Sequence, residues 1–184
     1  MRECPTIKTE RLFLRPFFNY EAKDVHQLGG DAAVADTLFT LNLCTTGVAQ
    51  QWIRNQQQHA EKGEWVNLAI IDLAESRLMG SVGLDIDRLN SNAEIIYWLG
   101  KEFWGQGYAT EAAAAVVRYG FETLRLHRIY ARYLARNRAS GRVLEKLGMT
   151  HEGVLRGHLK KLGVFEDLNV MGIMKDEFMK GRQS

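Results

Sequence analysis

The sequence has few cysteines and no long apolar run, which excludes several classes of protein. Cys4 and Cys44, the only two cysteines in 184 residues, are too few for a disulfide framework and too far apart for a metal site. The longest aliphatic run, residues 112–117, is far shorter than the roughly 20 residues of a membrane span. The first residues also lack the apolar core of a signal peptide. We therefore expect a cytoplasmic protein with reduced thiols, no metal and no membrane contact.

The sequence also has little net charge, because 24 basic residues nearly balance 22 acidic ones and leave a formal charge of +2. Such a balance does not indicate a general affinity for nucleic acid. The charge is nevertheless uneven, since one segment holds six arginines and no acid: Arg125, Arg128, Arg132, Arg136, Arg138 and Arg142. This segment either faces phosphates, those of a cofactor or of RNA, or is a solvated surface.

The composition is 46% hydrophobic and 25% charged, as in an ordinary globular protein. The length fits one domain, residues 1–184, with a core of its own. Helices are predicted from apolar spacing over residues 19–28, 46–62 (with Val48, Trp52, Ile53 and Gln56 at the spacing of one helix face), 110–124 and 138–147. Strands are predicted over residues 12–17, 65–72, 78–86, 93–99, 128–134, 150–159 and 168–174, with a hairpin tip at 160–167. A meander followed by alternating strands and helices predicts an α/β or α+β class, with a mixed sheet flanked by helices.

The most informative stretch is a strand that leads through a glycine turn into a helix. Residues 93–99 form the predicted strand, Gly105 and Gly107 allow the turn, and the helix is predicted from Thr110. The amides of residues 106–110 would then be unpaired donors at a positive helix end, where a phosphate or diphosphate can bind. The spacing does not fit a Walker loop. It does not fit a dinucleotide-binding fingerprint either, because this sequence has Thr110 where the third glycine is required. A turn with only a structural role remains an alternative.

Several segments together resemble the GNAT superfamily of N-acetyltransferases, and within it the ribosomal-protein N-terminal acetyltransferase-like (RimJ/RimL-like) branch. The matching segments occur in the order and at the spacing of that branch: TERLFLRPF, AEIIYWLG, WGQGYATEA, NRASGRVLEKLGM and HEGVLRG. The resemblance implies a mixed, mostly antiparallel sheet of about seven strands that splays between strands 4 and 5, flanked by about four helices. These two strands would be residues 93–99 and 128–134.

The resemblance implies that acetyl-CoA binds where the two strands separate and that no metal takes part. Its pantetheine arm would pair with free strand backbone, and its diphosphate would bind the amides of the glycine turn. By position, the residues that it assigns to cofactor binding are Trp98, Leu99, Trp104, Gly105, Gln106, Gly107, Tyr108, Ala109, Thr110, Asn137 and Ser140.

Two positions depart from the family pattern. Trp104 stands where the diphosphate loop commonly has Arg or Gln, although backbone amides supply most of the binding. Leu144 stands where many members have the tyrosine that protonates the departing thiolate. In the resembled branch a serine lies near the cofactor sulfur, so Ser140 is the candidate donor to that thiolate. A thiol with a pKa of about 8.5 is already a fair leaving group, and weak assistance can suffice.

Two residues are candidates for the base that takes a proton from the attacking amine. Glu94 lies on the cofactor strand, where many family members place a carboxylate that acts through water, and a paired structural carboxylate is the alternative. His158 is the second candidate, because histidine titrates in a suitable range, and it too can be structural. Direct attack in a ternary complex is expected, because Cys4 and Cys44 precede all cofactor motifs. A strand amide within residues 97–99 is expected to stabilise the oxyanion.

The acceptor is left open by the sequence. An α-amino group has a pKa of about 7.7 to 8.0 and needs less deprotonation than a lysine at about 10.4. The first hypothesis is therefore a protein N-terminal α-amine, such as that of a ribosomal protein. The second is a small-molecule amine, namely a polyamine, an amino acid or an antibiotic, and the third is a non-catalytic module that binds acetyl-CoA. Ribosome association, and either a monomer or a homodimer, are compatible with the resemblance.

Overall fold

The computed structural model describes residues 4–39, 43 and 45–181, so that Cys44 lies outside the described residues. Within them, strands form a sheet in the order β1-β2-β3-β4-β5-β6-β8-β7, and only β5 and β6 are paired in parallel. The strands are β1 Ile7–Lys8, β2 Leu12–Arg15, β3 Trp65–Asp72, β4 Leu78–Asp87, β5 Asn92–Leu99, β6 Arg128–Leu134, β7 Thr150–Lys161 and β8 Val164–Met174. The mixed, mostly antiparallel sheet is confirmed, with eight described strands instead of about seven because the two-residue β1 adds an edge.

Helices cover both faces of the sheet. They are α1 Ala22–Gly29, α2 Ala32–Thr37, α3 Thr46–Lys62, α4 Tyr108–Glu122, α5 Arg138–Lys146 and α6 Lys175–Gly181, with single 3-10 turns at Asn19–Glu21 and Lys101–Phe103. The sequence did not predict α2 or α6. Asp31 caps α2 by accepting hydrogen bonds from the amides of Ala33 and Val34, and α6 has no buried residue that would have produced a periodic signal. Among the described helices, none is long and apolar enough to cross a membrane.

One apolar layer lies on each face of the sheet. The first lies between the sheet and α4, whose inward residues are those that the sequence predicted, including Ala112, Val116 and Phe121. The second lies under α1 and α3. On α3 the inward residues are Ala49, Ile53 and Gln56, whereas Val48 is exposed, contrary to prediction. Ala49, Ile53 and Gln56 are spaced by four and three residues, and they therefore share the helix face that packs on the sheet. Val48 lies beside this face.

The β7–β8 hairpin is longer than predicted. Residues 160–167 were expected to form its tip, but strand pairing continues as far as Lys161 with Val164. The loop consists of Leu162 and Gly163, whose φ angles of 47° and 87° are both left-handed. A two-residue loop of this kind matches the twist of paired strands, so the ladder can run to its end.

Candidate functional site

The parallel strands β5 and β6 pair at one end only and then separate. Their register has three residue pairs: Asn92 with Arg128, Ala93 with Ile129, and Glu94 with Tyr130. Beyond them, β5 remains paired with β4 as far as Leu99, and β6 with β8 as far as Leu134. The facing edges within this described stretch therefore carry backbone donors and acceptors that the sheet does not use. An extended ligand with amide groups has partners there.

A glycine turn follows β5 and opens α4. Gly105 and Gly107 have φ angles of 75° and 84°, which only glycine adopts without strain. Gly107 is the N-cap of α4, which begins at Tyr108 and therefore before the predicted start at Thr110. The amides of the first turn of this 15-residue helix point out of its positive end. This arrangement favours an anion.

Arg11, which precedes β2, contacts both the glycine turn and the first residues of α4. Its Nε donates to Glu111 Oε2 at 2.7 Å, and a terminal nitrogen donates to the carbonyl oxygen of Gln106 at 3.1 Å. The guanidinium carbon lies 4.3 Å from the centre of the Tyr108 ring. Thr9 Oγ1 donates to the same Glu111 carboxylate at 2.6 Å. The shape of the turn thus depends on contacts from the first strands, a role that the sequence analysis did not assign.

A cavity of about 700 Å³ joins the gap between the strands to the glycine turn. Every residue that the resemblance assigned to cofactor binding lines it except Gln106, whose side-chain amide instead donates to the carbonyl oxygen of Glu102 at 2.9 Å. Trp98 is 5% exposed, and its indole Nε1 is buried without a hydrogen-bond partner among the described residues. Asn137 caps α5 by accepting from the amide of Ser140 at 3.1 Å.

Ser140 contacts a tyrosine hydroxyl that the sequence analysis did not identify. The hydroxyls of Tyr97 and Ser140 are 2.8 Å apart, and Tyr97 also donates to the carbonyl oxygen of Ser140 at 3.2 Å. Burial raises the pKa of Tyr97 to about 12, against the smaller opposing effect of the Ser140 hydrogen bond. The phenol therefore stays protonated at neutral pH and remains a hydrogen-bond donor beside Ser140.

The two candidate bases occupy different environments. Glu94 is 6% exposed and lines the cavity, and its two oxygens accept from Arg132 Nε at 2.9 Å and from a terminal nitrogen of Arg132 at 2.6 Å. His158 is exposed on β7, where the register with β8 shifts between Leu155 and Leu159, and it is not among the residues that line the cavity. The structure thus brings Glu94, but not His158, to the cavity.

Polar side chains on the α3 side of the sheet form a part of the cavity that sequence reasoning missed. Ser81 Oγ donates to Asn67 Oδ1 at 2.5 Å, and Asn67 Nδ2 donates to Gln56 Oε1 at 2.8 Å. Asp85, on β4, lines the same wall with Trp65. The sequence contained one signal for this part of the cavity, because an aspartate such as Asp85 is unusual inside an apolar strand.

The arginine-rich segment is divided among different partners. Arg132 pairs with Glu94, Arg128 with both oxygens of Glu152, and Arg136 with Asp36 and Glu166. Arg142 lines the cavity. Half of the six arginines are therefore neutralised by acids from distant segments, so that the segment does not present one continuous basic surface.

Comparisons with known proteins agree with this geometry. Residues 11–150 match the family described as "Acetyltransferase (GNAT) domain". The chain is 31% identical over 174 residues to the uncharacterized N-acetyltransferase p20 of Bacillus licheniformis, covering 94% of this chain and 98% of that protein. It is 33% identical over 86 residues to the [ribosomal protein uS5]-alanine N-acetyltransferase of Escherichia coli K12, covering 47% and 44% of the two chains.

A solved structure shares the fold. It is described as RimL, a ribosomal L7/L12 alpha-N-protein acetyltransferase, in complex with coenzyme A, and it superposes with a TM-score of 0.86 at 20% identity over 94% of this chain and 99% of that one. The forked strands, the glycine turn and the family match lead to one conclusion. The chain belongs to the GNAT family of acetyltransferases and is an acetyl-CoA-dependent acyltransferase.

Proposed function

We propose that this acetyltransferase modifies a protein N-terminal α-amine by direct attack within a ternary complex. One observation carries the proposal: the cavity reaches both faces of the sheet through the gap between β5 and β6. On the α4 side it is lined by Tyr97, Tyr108 and Ser140, and on the α3 side by Trp65 and Asp85. A donor and an acceptor can therefore enter from opposite sides and meet between the strands.

The α4 side fits acetyl-CoA. The diphosphate would bind the first amides of α4 next to Gly107, and the pantetheine amides would pair with the unused edge of β5. Asn137 and Ser140 lie on the opposite wall. Acetyl-CoA supplies the activated acetyl group, and the residues of this chain orient it.

The thiolate that leaves after acetyl transfer has a donor at hand. Ser140 would donate its hydroxyl proton towards the sulfur while Tyr97, protonated at neutral pH, holds the other side of the serine oxygen. A route through an acetyl-cysteine is not supported by Cys4, which does not line the cavity and whose thiol pKa is raised by burial. Cys44 lies outside the described residues.

The choice of an α-amine rests on the relatives and on acid–base chemistry. The uS5-alanine N-acetyltransferase and the RimL structure are both named for ribosomal-protein substrates, and the second name specifies the α-nitrogen of the protein. At pH 7 roughly a tenth of an α-amine is already neutral, whereas lysine is neutral in fewer than about one molecule in a thousand. One carboxylate in the cavity can therefore complete the deprotonation of an α-amine. A ribosomal acceptor would also place the enzyme in the cytoplasm and in contact with the ribosome.

A small cationic amine such as a polyamine is the second candidate. The observation that favours it is the presence of two carboxylates, Asp85 and Glu94, on the acceptor side of the cavity. Arg132 neutralises Glu94, however, which leaves one uncompensated acid instead of the pair that would suit a multiply charged substrate.

Release of free thiol from acetyl-CoA tests the two candidates. The full-length enzyme is mixed with acetyl-CoA and, separately, with peptides that begin with alanine or serine, the same peptides blocked at the N-terminus, spermidine, and free lysine. The proposal predicts turnover with the free peptides and none with the blocked ones. Turnover with spermidine alone would establish the second candidate. Saturable coenzyme A binding with no thiol release from any acceptor would instead indicate a binding module.

A further inference from the structure

Two carboxylates lie side by side on the acceptor face of the sheet. Asp85 on β4 and Glu94 on β5 are direct cross-strand partners, and both line the cavity. Side chains at such positions have Cβ atoms about 4.5–5.5 Å apart, close enough for the two charges to interact. Two neighbouring acids at one site are usually given different tasks by their surroundings.

The surroundings of the two acids differ in their hydrogen-bond partners. Both oxygens of Glu94 are held in the fork of the Arg132 guanidinium. Asp85 instead lies opposite the neutral side chain of Trp65 on β3, and no ion pair within the described part of the chain includes it. Glu94 is thus committed as the counter-ion of Arg132, whereas Asp85 keeps acceptor capacity towards the cavity.

We infer that Asp85, and not Glu94, is the residue that binds the ammonium form of the acceptor amine and takes its proton, directly or through one water. The inference rests on the proposed acetyl transfer to a primary amine and names the acid that it needs. The indole ring of Trp65, the cross-strand partner of Asp85 on β3, lines the same cavity, and aromatic faces stabilise a cation held beside a carboxylate.

During acetyl transfer the acceptor nitrogen loses two protons, one to Asp85 and one to the departing sulfur. An N–H bond of the ammonium group breaks and an O–H bond forms on Asp85, which leaves the nitrogen lone pair free. That lone pair forms the C–N bond with the thioester carbonyl carbon, and the C–S bond breaks. The second proton lost by nitrogen ends on the departing sulfur, by way of the Ser140 and Tyr97 hydroxyls or of water, and Asp85 returns its proton to solvent.

The charges around Asp85 suit it to this task. Burial, followed by the negative charge of Glu94, raises the pKa of the Asp85 carboxyl above its ordinary value of 3.8, against smaller opposing effects of Trp65, His59 and Arg132. Tyr130 on β6 also interacts with Asp85, as its own pKa shift shows. A carboxylate with a raised pKa is a better proton acceptor than an ordinary aspartate. Asp85 must be ionised to act, so that activity should rise with pH through this raised pKa.

The test compares three variants of the full chain: Asp85→Asn, Glu94→Gln and Asp87→Asn. Asp87 lies on the same strand and points to the same face, but it is exposed, bonds to Asn90 and does not line the cavity. Each variant is assayed for coenzyme A affinity by calorimetry, for thermal unfolding, and for kcat and kcat/KM across pH with the best acceptor of the parent enzyme.

Asp85→Asn is expected to lower kcat by roughly 10²- to 10⁴-fold, the usual contribution of a general base, and to remove the acid limb of the kcat/KM profile. Coenzyme A affinity should stay unchanged, and Asp87→Asn should behave like the parent. Glu94→Gln should keep an acid limb, shifted to lower pH because the neighbouring negative charge is gone.

Two results would overturn the role of Asp85. One is an Asp85→Asn variant with at least a tenth of the parent kcat, and the other is an acid limb that disappears in Glu94→Gln but persists in Asp85→Asn. Failure of the proposed function looks different, because the parent enzyme itself would then bind coenzyme A and transfer acetyl to no amine.

Discussion

Glu94 and Arg132 form a two-pronged ion pair at the point where β5 and β6 separate. Glu94 is the last residue of β5 that pairs with β6, opposite Tyr130, and Arg132 lies two residues further along β6. The pair therefore ties the strands together at the closed end of the gap in which the pantetheine arm is proposed to bind. This position suggests that Glu94 maintains the geometry of the fork.

The first prediction concerns Glu94→Gln. The amide can satisfy only part of the Arg132 fork and leaves its charge unpaired, so that we expect a loss of roughly 1–3 kcal/mol in the free energy of unfolding. Coenzyme A affinity should also fall, because the strands are no longer held at their junction. Thermal or denaturant unfolding and calorimetry measure the two effects.

Glu75→Gln serves as the control for Glu94→Gln. Glu75 also pairs with an arginine, Arg77, but both side chains are at least half exposed, and such pairs contribute about 1 kcal/mol or less. It should leave stability and coenzyme A binding almost unchanged. Equal unfolding midpoints for the two variants would show that the Glu94–Arg132 pair has no special structural role.

The second prediction concerns the pair formed by Tyr97 and Ser140. Ser140→Ala and Tyr97→Phe should each lower kcat by up to about 10²-fold, the low end for general acid assistance, and should change the KM for acetyl-CoA much less. Because the two hydroxyls share one hydrogen bond, the double variant should be little slower than the slower single one. Strictly multiplicative losses, measured by thiol release at saturating substrates, would mean that the two act independently.

The elements that the sequence predicted most accurately are those with local start and stop signals. Helix α3 begins and ends where predicted, at Thr46–Lys62, because Thr45 accepts from the amide of Val48 and Gly63 ends the helix with a φ of 69°. β6 also has its predicted bounds, Arg128–Leu134, and its branched and aromatic residues favour a strand. The resemblance further led to the correct fold, including the separation of β5 from β6.

The contacts that shape the site were not predictable in this way. Glu94 and Arg132 are 38 residues apart, Arg11 and Glu111 are 100 apart, and Arg136 and Asp36 are also 100 apart. No local pattern relates such partners, so that the arginine-rich segment looked like a single basic block. The roles of Asp85 and Tyr97 likewise depend on neighbours brought close by strand pairing and helix packing.

The third prediction concerns the wall of the cavity formed by residues 37–39, at the end of α2. Asp36 on α2 accepts two hydrogen bonds from the Arg136 guanidinium, at 2.5 and 2.9 Å, and Lys161 donates to the carbonyl oxygens of Ala35 and Asp36. Asp36→Asn should loosen this wall and raise the KM for the acceptor several-fold, with coenzyme A affinity unchanged. Asp24→Asn, on the exposed face of α1, should change neither constant.

The ion pair between Arg136 and Asp36 contributes to the free energy of unfolding, and this contribution depends on pH. The hydrogen bond from Arg136 lowers the pKa of Asp36 below its ordinary value of 3.8. A group whose pKa is depressed by folding contributes stability above its unfolded pKa and loses it as pH falls through the folded value. The difference in unfolding midpoint between the parent and Asp36→Asn should therefore be constant near neutral pH and vanish in strong acid. A difference that grows on acidification would contradict the pairing.

The fourth prediction separates backbone strain from ligand binding at Gly107. Gly107→Ala and Gly163→Ala both force alanine into a left-handed conformation, with φ of 84° and 87°, so that each should cost about 1–2 kcal/mol of stability. Only Gly107 caps α4, where a change of backbone conformation would move the first amides of the helix. Only Gly107→Ala should therefore weaken coenzyme A binding, and Gly107→Glu should abolish it by placing a carboxylate against the diphosphate. If calorimetry finds parent-like affinity in Gly107→Glu, the diphosphate does not bind at the start of α4.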